Sequence, residues 1–453
     1  MSNETEIREV SQGQEARPEW TSHMGFILAT LGSAVGLGNI WRFPYVMGKY
    51  GGGAFLLVYM ILMCAICVIP LICELYLGKK FKLATVLAYQ SIRPKLKYFG
   101  WIQIATVIGI SGFYFVVGGW IIHYILVYSF NMLPVGTNYS EYFSGFASQT
   151  TLPLIYAFIF LIVSAIFPYR GVNKGIEAAS KIMMPLFLLM LVFLVIVAQT
   201  LPGAREGLEF VFKPDFSKFN AEMFLIAFGQ ALFSLSVGIG CLITYGSYIG
   251  KNTNLIESSY TLIFGETLIA LAAGLMIFPA VFSYGLNPGE GPGLVFVTLP
   301  QVFEKLPFMG NFFAVTFFVL LFFAALTSSI SMLEASISSF REALNMSREK
   351  ATVVVSIIVA ALVIPSCLSF GLMKNFTIFG KTVFDLLDFA TSTVMMPSTT
   401  MLLCLIVGWI LKPSDEIVNG NKLLYFFFNI LLKYITPALL LFSLLAGLGI
   451  IKI

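Results

Sequence analysis

Two stretches decide the fold: Ser33-Ala34-Val35-Gly36-Leu37-Gly38-Asn39 and Leu235-Ser236-Val237-Gly238-Ile239-Gly240-Cys241. Each lies in the middle of an apolar segment long enough to cross a bilayer, and each carries valine-glycine-aliphatic-glycine. Glycine costs a helix about 1 kcal/mol relative to alanine, so two at one level weaken it there. In hydrocarbon, unwound backbone survives only where it is buried in protein or lines a cavity. One Gly-x-Gly alone reads more readily as a small-residue packing face. Two of them, five spans apart, point to an inverted repeat with a binding site between two broken helices. The five-span unit is odd, so its second copy starts from the opposite side of the membrane and must be inverted.

The rest of the 453-residue chain fits that frame. It is 58% hydrophobic and 11% charged, whereas soluble domains carry roughly a quarter charged residues. A span needs about 20 mostly apolar residues. Candidates fall at 23–49, 54–78, 98–132, 153–168, 177–200, 219–248, 255–284, 311–341, 352–373, 382–411 and 423–451. The expected organisation is a tail over 1–22, a first five-helix repeat over 23–200 and a second over 201–411. A loop and an eleventh helix follow over 412–453. The first twenty residues are polar and lack the apolar core of a secretory signal, so they read as a cytoplasmic tail.

Basic residues set the orientation. Lys79, Lys80, Lys82, Arg93, Lys95 and Lys97 lie between spans two and three, and Arg170, Lys174 and Lys181 flank the turn into span five. Arg341, Arg348 and Lys350 join spans eight and nine. All share the side of the N-terminal tail, which makes that side cytoplasmic and puts the C-terminus outside. The net charge of +4 is this bias and does not suggest a nucleic-acid partner. Cys64, Cys67, Cys73, Cys241, Cys367 and Cys404 all sit in apolar spans. Cys64 and Cys67 have the spacing of half a zinc site without a second half, so all six read as small core residues. No nucleotide fingerprint or nucleophile elbow appears, and an enzyme is disfavoured.

The run Gly32-Ser33-Ala34-Val35-Gly36-Leu37-Gly38-Asn39-Ile40-Trp41-Arg42-Phe43-Pro44 resembles the first-helix signature of the neurotransmitter:sodium symporters. Gly51-Gly52-Gly53-Ala54-Phe55 follows it, as in that family. The likeness continues through Phe233-Ser234-Leu235-Ser236, Ala324-Ala325-Leu326-Thr327-Ser328-Ser329 and Asp388-Phe389, and covers nearly the whole chain. The bacterial members with eleven spans are the most similar. The resemblance implies an all-α polytopic membrane protein of the LeuT-type five-plus-five inverted repeat, with helices one and six broken. It also implies sodium-coupled uptake of an amino acid or related amine.

By resemblance, one sodium site takes the carbonyls of Gly32, Val35 and Ala324 with the hydroxyls of Thr327 and Ser328. The last three are i, i+3 and i+4, on one helix face. The second site takes the Ala34 carbonyl, Asn39, Ser234, Glu266 and the substrate carboxylate. Position 266 is asparagine in much of the family, and a charge at mid-membrane is costly enough to expect a function for it. The substrate carboxylate would meet the amides of Leu37 and Gly38 and the Tyr114 hydroxyl. Its ammonium would meet the carbonyls of Ala34, Phe233 and Ser234 and the Ser236 hydroxyl. Ile110, Phe233, Ile239, Ser328 and Met332 would hold its side chain.

The resemblance makes Arg42 and Asp388 an outer gate, and Arg17, Trp20, Ser247, Tyr248 and Glu342 an inner one. Glu342 stands where aspartate is commoner. Glu74 matches a buried acid that bonds the unwound backbone of span six. Gly175 and Pro185 either let span five loosen or simply kink it. Ala270, one turn beyond Glu266, offers no hydroxyl for an anion, so chloride is not expected. If Glu266 is ionised with sodium bound and protonated on the empty return, the cycle exports a proton; alternatively it stays protonated throughout.

The expected cofactors are thus two sodium ions and no chloride. The expected partners are a hydrophobic L-amino acid and the lipid bilayer, in a bacterial cell membrane. A symporter for another small amine or an osmolyte would keep the sodium residues and change the pocket. A ligand-binding receptor or a channel fits paired breaks with gates at both ends less well. The oligomeric state and the preferred amino acid are not legible.

Overall fold

In the computed structural model, residues 17–134, 136–286, 293–306, 309–412, 417 and 422–451 are described. The first sixteen residues of the expected tail, and most of the connection before the eleventh span, lie outside them. Nine described helices are continuous and apolar enough to cross a membrane: Gly53–Phe81, Pro94–Ser129, Leu152–Tyr169, Val172–Ala198, Leu255–Ser283, Gly310–Ala343, Arg348–Leu368, Val383–Leu411 and Lys422–Gly447. The first span is a bent pair, His23–Ala34 and Gly38–Lys49, meeting at 51°. The sixth is split into Ala221–Ser234 and Cys241–Gly246. The chain is therefore an all-helical bundle whose two interrupted spans fall at the two glycine pairs.

Local chemistry explains both breaks. The first span starts at Ser22, whose hydroxyl accepts the Gly25 amide at 3.0 Å, a helix N-cap. It ends at Val35, which is extended (φ −82°, ψ 100°). A Cβ on Gly36 would stand 2.5 Å from the Ser328 hydroxyl and 3.0 Å from that of Tyr114, so only glycine lets the break lie against spans three and eight. In the sixth span Ser236, Gly238 and Gly240 all have positive φ (54°, 87° and 77°). Glycine takes this region without cost.

The third span lies at the centre, with 94% of its apolar window buried, and packs on the fourth, eighth and ninth. The eleventh is peripheral at 22% and turns its apolar face outward, as a lipid-facing helix does. Short helices Thr85–Ile92, Tyr139–Ala147, Ala204–Phe212 and Leu299–Lys305 cover the ends. Two sequence readings need correction. Cys64 is exposed, on the outer face of the second span, whereas the other five cysteines are buried. The fifth span starts at Val172 rather than 177, because a π-helical turn, Val172–Glu177, extends it beyond Gly171.

Spans two and six meet through glycines. A Cβ on Gly78 would lie 2.0 Å from the Ile243 carbonyl, and one on Gly246 would lie 2.7 Å from the Leu75 carbonyl. Gly78→Leu should therefore overpack this contact, costing about 1–3 kcal/mol. The expected result is a lower melting temperature of the detergent-purified protein in a fluorescence-detected unfolding scan. An unchanged melting temperature would contradict the close approach.

Candidate functional site

The first break and the eighth span bring oxygens together. The Ser328 hydroxyl is 3.2 Å from the carbonyls of Gly32 and Ser33 and 3.4 Å from that of Val35. The Thr327 hydroxyl is 3.1 Å from the Ala324 carbonyl and 3.0 Å from that of Phe323. A Cβ on Gly32 would lie 3.0 Å from that of Thr327, so the first and eighth spans touch here. The five residues of the first expected sodium site thus share one buried spot. Helix termination frees the Gly32 and Val35 carbonyls, and the Ser328 hydroxyl is aimed at them, whereas the Thr327 hydroxyl donates back to its own helix at Phe323 and Ala324.

A second polar cluster surrounds Glu266, which is fully buried in the seventh span. Asn39 Nδ2 and the Tyr59 hydroxyl each donate to Glu266 Oε1 at 2.6 Å, and the Thr267 hydroxyl donates to Oε2 at 3.4 Å. The Ser234 hydroxyl lies close to Tyr59 and Glu266 without a well-aligned hydrogen bond. Asn39 Oδ1 accepts the Gly36 amide at 3.3 Å, tying the cluster to the break. Asn39, Ser234 and Glu266 therefore meet, and Ala34 borders them through the adjoining cavity.

That cavity lies between the breaks. Its lining contains every residue expected to touch substrate: Ala34, Leu37, Gly38, Ile110, Tyr114, Phe233, Ser234, Ser236, Ile239, Ser328 and Met332. Ser33, Gly36 and Met396 complete it. The Tyr114 hydroxyl accepts the Leu37 amide at 3.5 Å, and the Ser236 hydroxyl donates to the Ser33 carbonyl at 3.1 Å. Glu74 Oε1 accepts the amides of Gly238 at 2.9 Å and Gly240 at 3.4 Å, holding the sixth break open.

The two ends differ. At one, Arg17 pairs with Glu342, donates from Nε to Ser247 Oγ at 2.7 Å and lies 4.7 Å over the Tyr248 ring. Trp20 donates its amide to the Tyr248 carbonyl at 3.0 Å and its indole nitrogen to the Tyr245 carbonyl at 3.1 Å. All five expected inner-gate residues join one closed network. At the other end Arg42 and Asp388 line a cavity of about 290 Å³ with Trp41, Trp120 and Phe384. Among the described residues they form no ion pair. Arg42 sits 5.3 Å over the Phe233 ring, and Asp388 accepts from Ser392 Oγ at 2.9 Å. Leu37, Gly38, Tyr114 and Phe233 line both this vestibule and the cavity between the breaks, so the two spaces adjoin.

Several residues of these networks escaped the sequence reading. Glu334 is fully buried, accepts the Tyr248 hydroxyl at 2.6 Å and pairs with Arg348. A carboxylate inside an apolar span was the available signal. Glu177 pairs with Lys181 at 2.8 Å and accepts the Thr21 amide at 2.9 Å, tying the tail to the fifth span. Tyr59 and Met396 had no local signal, because an isolated tyrosine or methionine in a span is ordinary.

A family model described as the sodium:neurotransmitter symporter family matches residues 17–145 and 140–452. The sodium-dependent transporter YhdH of Bacillus subtilis is 37% identical over 97% of this chain and 99% of its own length. A sodium-dependent transporter of Haemophilus influenzae is 36% identical over 95% and 98%. A crystal structure of MhsT in complex with L-phenylalanine superposes with a TM-score of 0.88 at 39% identity, covering 95% of this chain and all of that one. The chain belongs to the sodium:neurotransmitter symporter family and is a multi-pass, sodium-dependent membrane symporter.

Proposed function

We propose that this symporter imports hydrophobic L-amino acids, aliphatic and aromatic, with two sodium ions and without chloride. It does so by alternating access through a bacterial plasma membrane, with its N-terminus in the cytoplasm and its C-terminus outside. The observation that carries the reading is the convergence of the Ser328 hydroxyl on the Gly32, Ser33 and Val35 carbonyls beside a cavity lined by both breaks. A hard cation takes oxygen ligands. An ion of about the size of Ca²⁺, as Na⁺ is, holds oxygens at about 2.3–2.6 Å, so neighbouring octahedral ligands stand about 3.3–3.7 Å apart. The observed 3.2–3.4 Å separations suit such an ion with little movement.

The second ion would lie by Glu266, Asn39 and Ser234, next to the substrate carboxylate. That carboxylate faces the start of Gly38–Lys49, where amides and the helix dipole favour an anion. The ammonium faces the carbonyl ends of the broken halves. Among the described residues no charged side chain lines the cavity, so a charged substrate side chain would be buried unpaired, at several kcal/mol. Among the described residues Tyr114 and Phe233 are the aromatic ones there, too few for the cage a quaternary amine prefers. The MhsT complex with L-phenylalanine supports an amino acid in this position.

Thr327→Val with Ser328→Ala removes two sodium-ligand oxygens and should abolish uptake into proteoliposomes. Undiminished wild-type uptake in sodium-free buffer would refute the coupling itself.

Ile239 and Met396 bound the space left for the substrate side chain. Ile239→Phe should weaken tryptophan and tyrosine more than alanine, by about tenfold for a lost methylene-scale fit. Met396→Ala should shift preference the opposite way. Competition by glycine or a charged amino acid that exceeds leucine and tyrosine would reject the hydrophobic assignment.

Ala270 is fully buried one turn beyond Glu266, where it offers an anion no donor, while Glu266 supplies negative charge of its own. Replacing chloride with gluconate should leave wild-type uptake unchanged. Glu266→Gln should lower apparent sodium affinity about tenfold or more, as expected when a charged partner worth 1.5–3 kcal/mol is lost. Stimulation of the wild type by chloride would overturn this part of the reading.

A further inference from the structure

The short helix between spans two and three, Thr85–Ile92, touches both the inner end and the sixth break. It begins at Ala84, which has no side-chain oxygen to cap it. Span eight supplies the cap instead: the Ala84 amide donates to Glu342 Oε2 at 2.7 Å. The other oxygen of that carboxylate takes Arg17. The next residue, Thr85, is fully buried. Its hydroxyl donates to the Gly240 carbonyl at 2.9 Å and lies 3.4 Å from the Thr244 hydroxyl. A Cβ on Gly240 would stand 2.6 Å from the Thr85 hydroxyl, so only glycine admits this approach. Two consecutive residues thus join the gate carboxylate to the unwound backbone of span six.

Each contact meets a local need, one a helix start and the other a bare carbonyl, yet the body that joins them is rigid. Thr85 and Tyr89 stand at i and i+4 on one helix face, and both are buried. The Tyr89 ring meets that of Phe99 edge-on at 4.7 Å. A Cβ on Gly100 would lie 2.7 Å from the Val86 Cα, so the helix is seated tightly on span three. A shift of its first turn therefore moves the Ala84 amide and the Thr85 hydroxyl together. Gly240 is held from its other side, where Glu74 takes its amide at 3.4 Å. Its neighbour Ile239 lines the cavity between the breaks.

We propose, resting on the alternating-access reading above, that Thr85 is a positioning residue that couples the cavity to the inner end. A ligand that fixes Ile239 and Gly240 fixes the carbonyl to which Thr85 donates. The first turn of the short helix then presents the Ala84 amide to Glu342 and holds that carboxylate where Arg17 meets it. Such coupling is reciprocal, so a closed inner end also strengthens ligand binding. Thr85 is not part of the cavity lining among the described residues, so its effect on affinity runs through Gly240.

The test uses the full chain, purified in detergent with sodium. L-phenylalanine affinity is measured together with hydrogen exchange of residues 17–34, read by mass spectrometry. In the wild type, L-phenylalanine should slow that exchange. T85V keeps the branched shape and removes the donor. It should weaken affinity about fivefold, the worth of one buried hydrogen bond, and remove most of the slowing. T85S keeps the hydroxyl and should match the wild type within about twofold on both. In E342A, T85V should change neither quantity further, whereas independent effects would multiply. Should T85V fail to fold, A84P takes its place. Proline matches the Ala84 φ of −68°, removes the amide proton and leaves Thr85 intact, and the same losses are expected. A wild-type response in T85V or A84P would overturn the proposal. So would T85S as impaired as T85V, or an undiminished effect of T85V in E342A. A wild type that binds sodium but not L-phenylalanine would instead refute the amino-acid reading. The same variants would then be compared by sodium affinity, with the same expected pattern.

Discussion

The structure depends on satisfying backbone polar groups where two helices are interrupted inside hydrocarbon. Each such group left bare costs several kcal/mol. At the first break the Ser328 hydroxyl serves carbonyls, Asn39 takes the Gly36 amide and Gln230 donates to the Gly38 carbonyl at 3.0 Å. At the sixth, Glu74 takes two amides and Thr85 donates to the Gly240 carbonyl at 2.9 Å. The two breaks also serve each other through Ser236 and the Ser33 carbonyl. What remains is a set of carbonyls on one side and amides on the other. On the proposed assignment a cation would complete the first and a carboxylate the second, so the need of the fold and the affinity of the site would share one origin.

Much of this was legible in sequence because it rests on local rules. The glycine pairs weaken their helices wherever they stand, and the polar face of span eight follows from helical spacing. The resemblance then carried Tyr114, Phe233, Ile239 and Met332 onto one cavity, which no spacing rule could assemble from three different spans. What stayed hidden depends on packing across spans. Tyr59 becomes a partner of Glu266 only because span two crosses span seven at that depth. Met396 reaches the cavity because span ten packs on the sixth break, where a Cβ on Gly238 would lie 2.9 Å from its carbonyl. Cys64 faces outward because the π-helical turn Met63–Cys67 shifts which residues of span two look inward. Glu334 was detectable, since its charge lies within an apolar helix, but its partner Arg348 belongs to the next helix and is found only by folding.

The two ends of the molecule differ in how their charges are paired. Arg17–Glu342 and Arg348–Glu334 close one end with pairs that are nearly buried, the two acids showing 7% and 0% side-chain exposure. At the other end Arg42 and Asp388 face a common vestibule without pairing. Removing one partner from a buried pair costs about 3–5 kcal/mol. Opening the closed end in turnover separates both partners into water, which returns much of that loss as hydration.

A ligand can shift such an equilibrium only by its differential affinity for the two states. On the proposed assignment, the ion between Gly32, Val35 and Ser328 clamps the inner half of span one to span eight. That half-helix is continuous with the segment carrying Arg17 and Trp20. Sodium bound there therefore favours the closed inner end, and its departure must precede or accompany opening. On the same assignment substrate would act from the opposite direction: bridging the breaks beneath Phe233, it would draw the Arg42 and Asp388 sides of the vestibule together. One fluid site between two rigid half-helices can thus read ion and substrate separately and answer with opposite ends of the molecule.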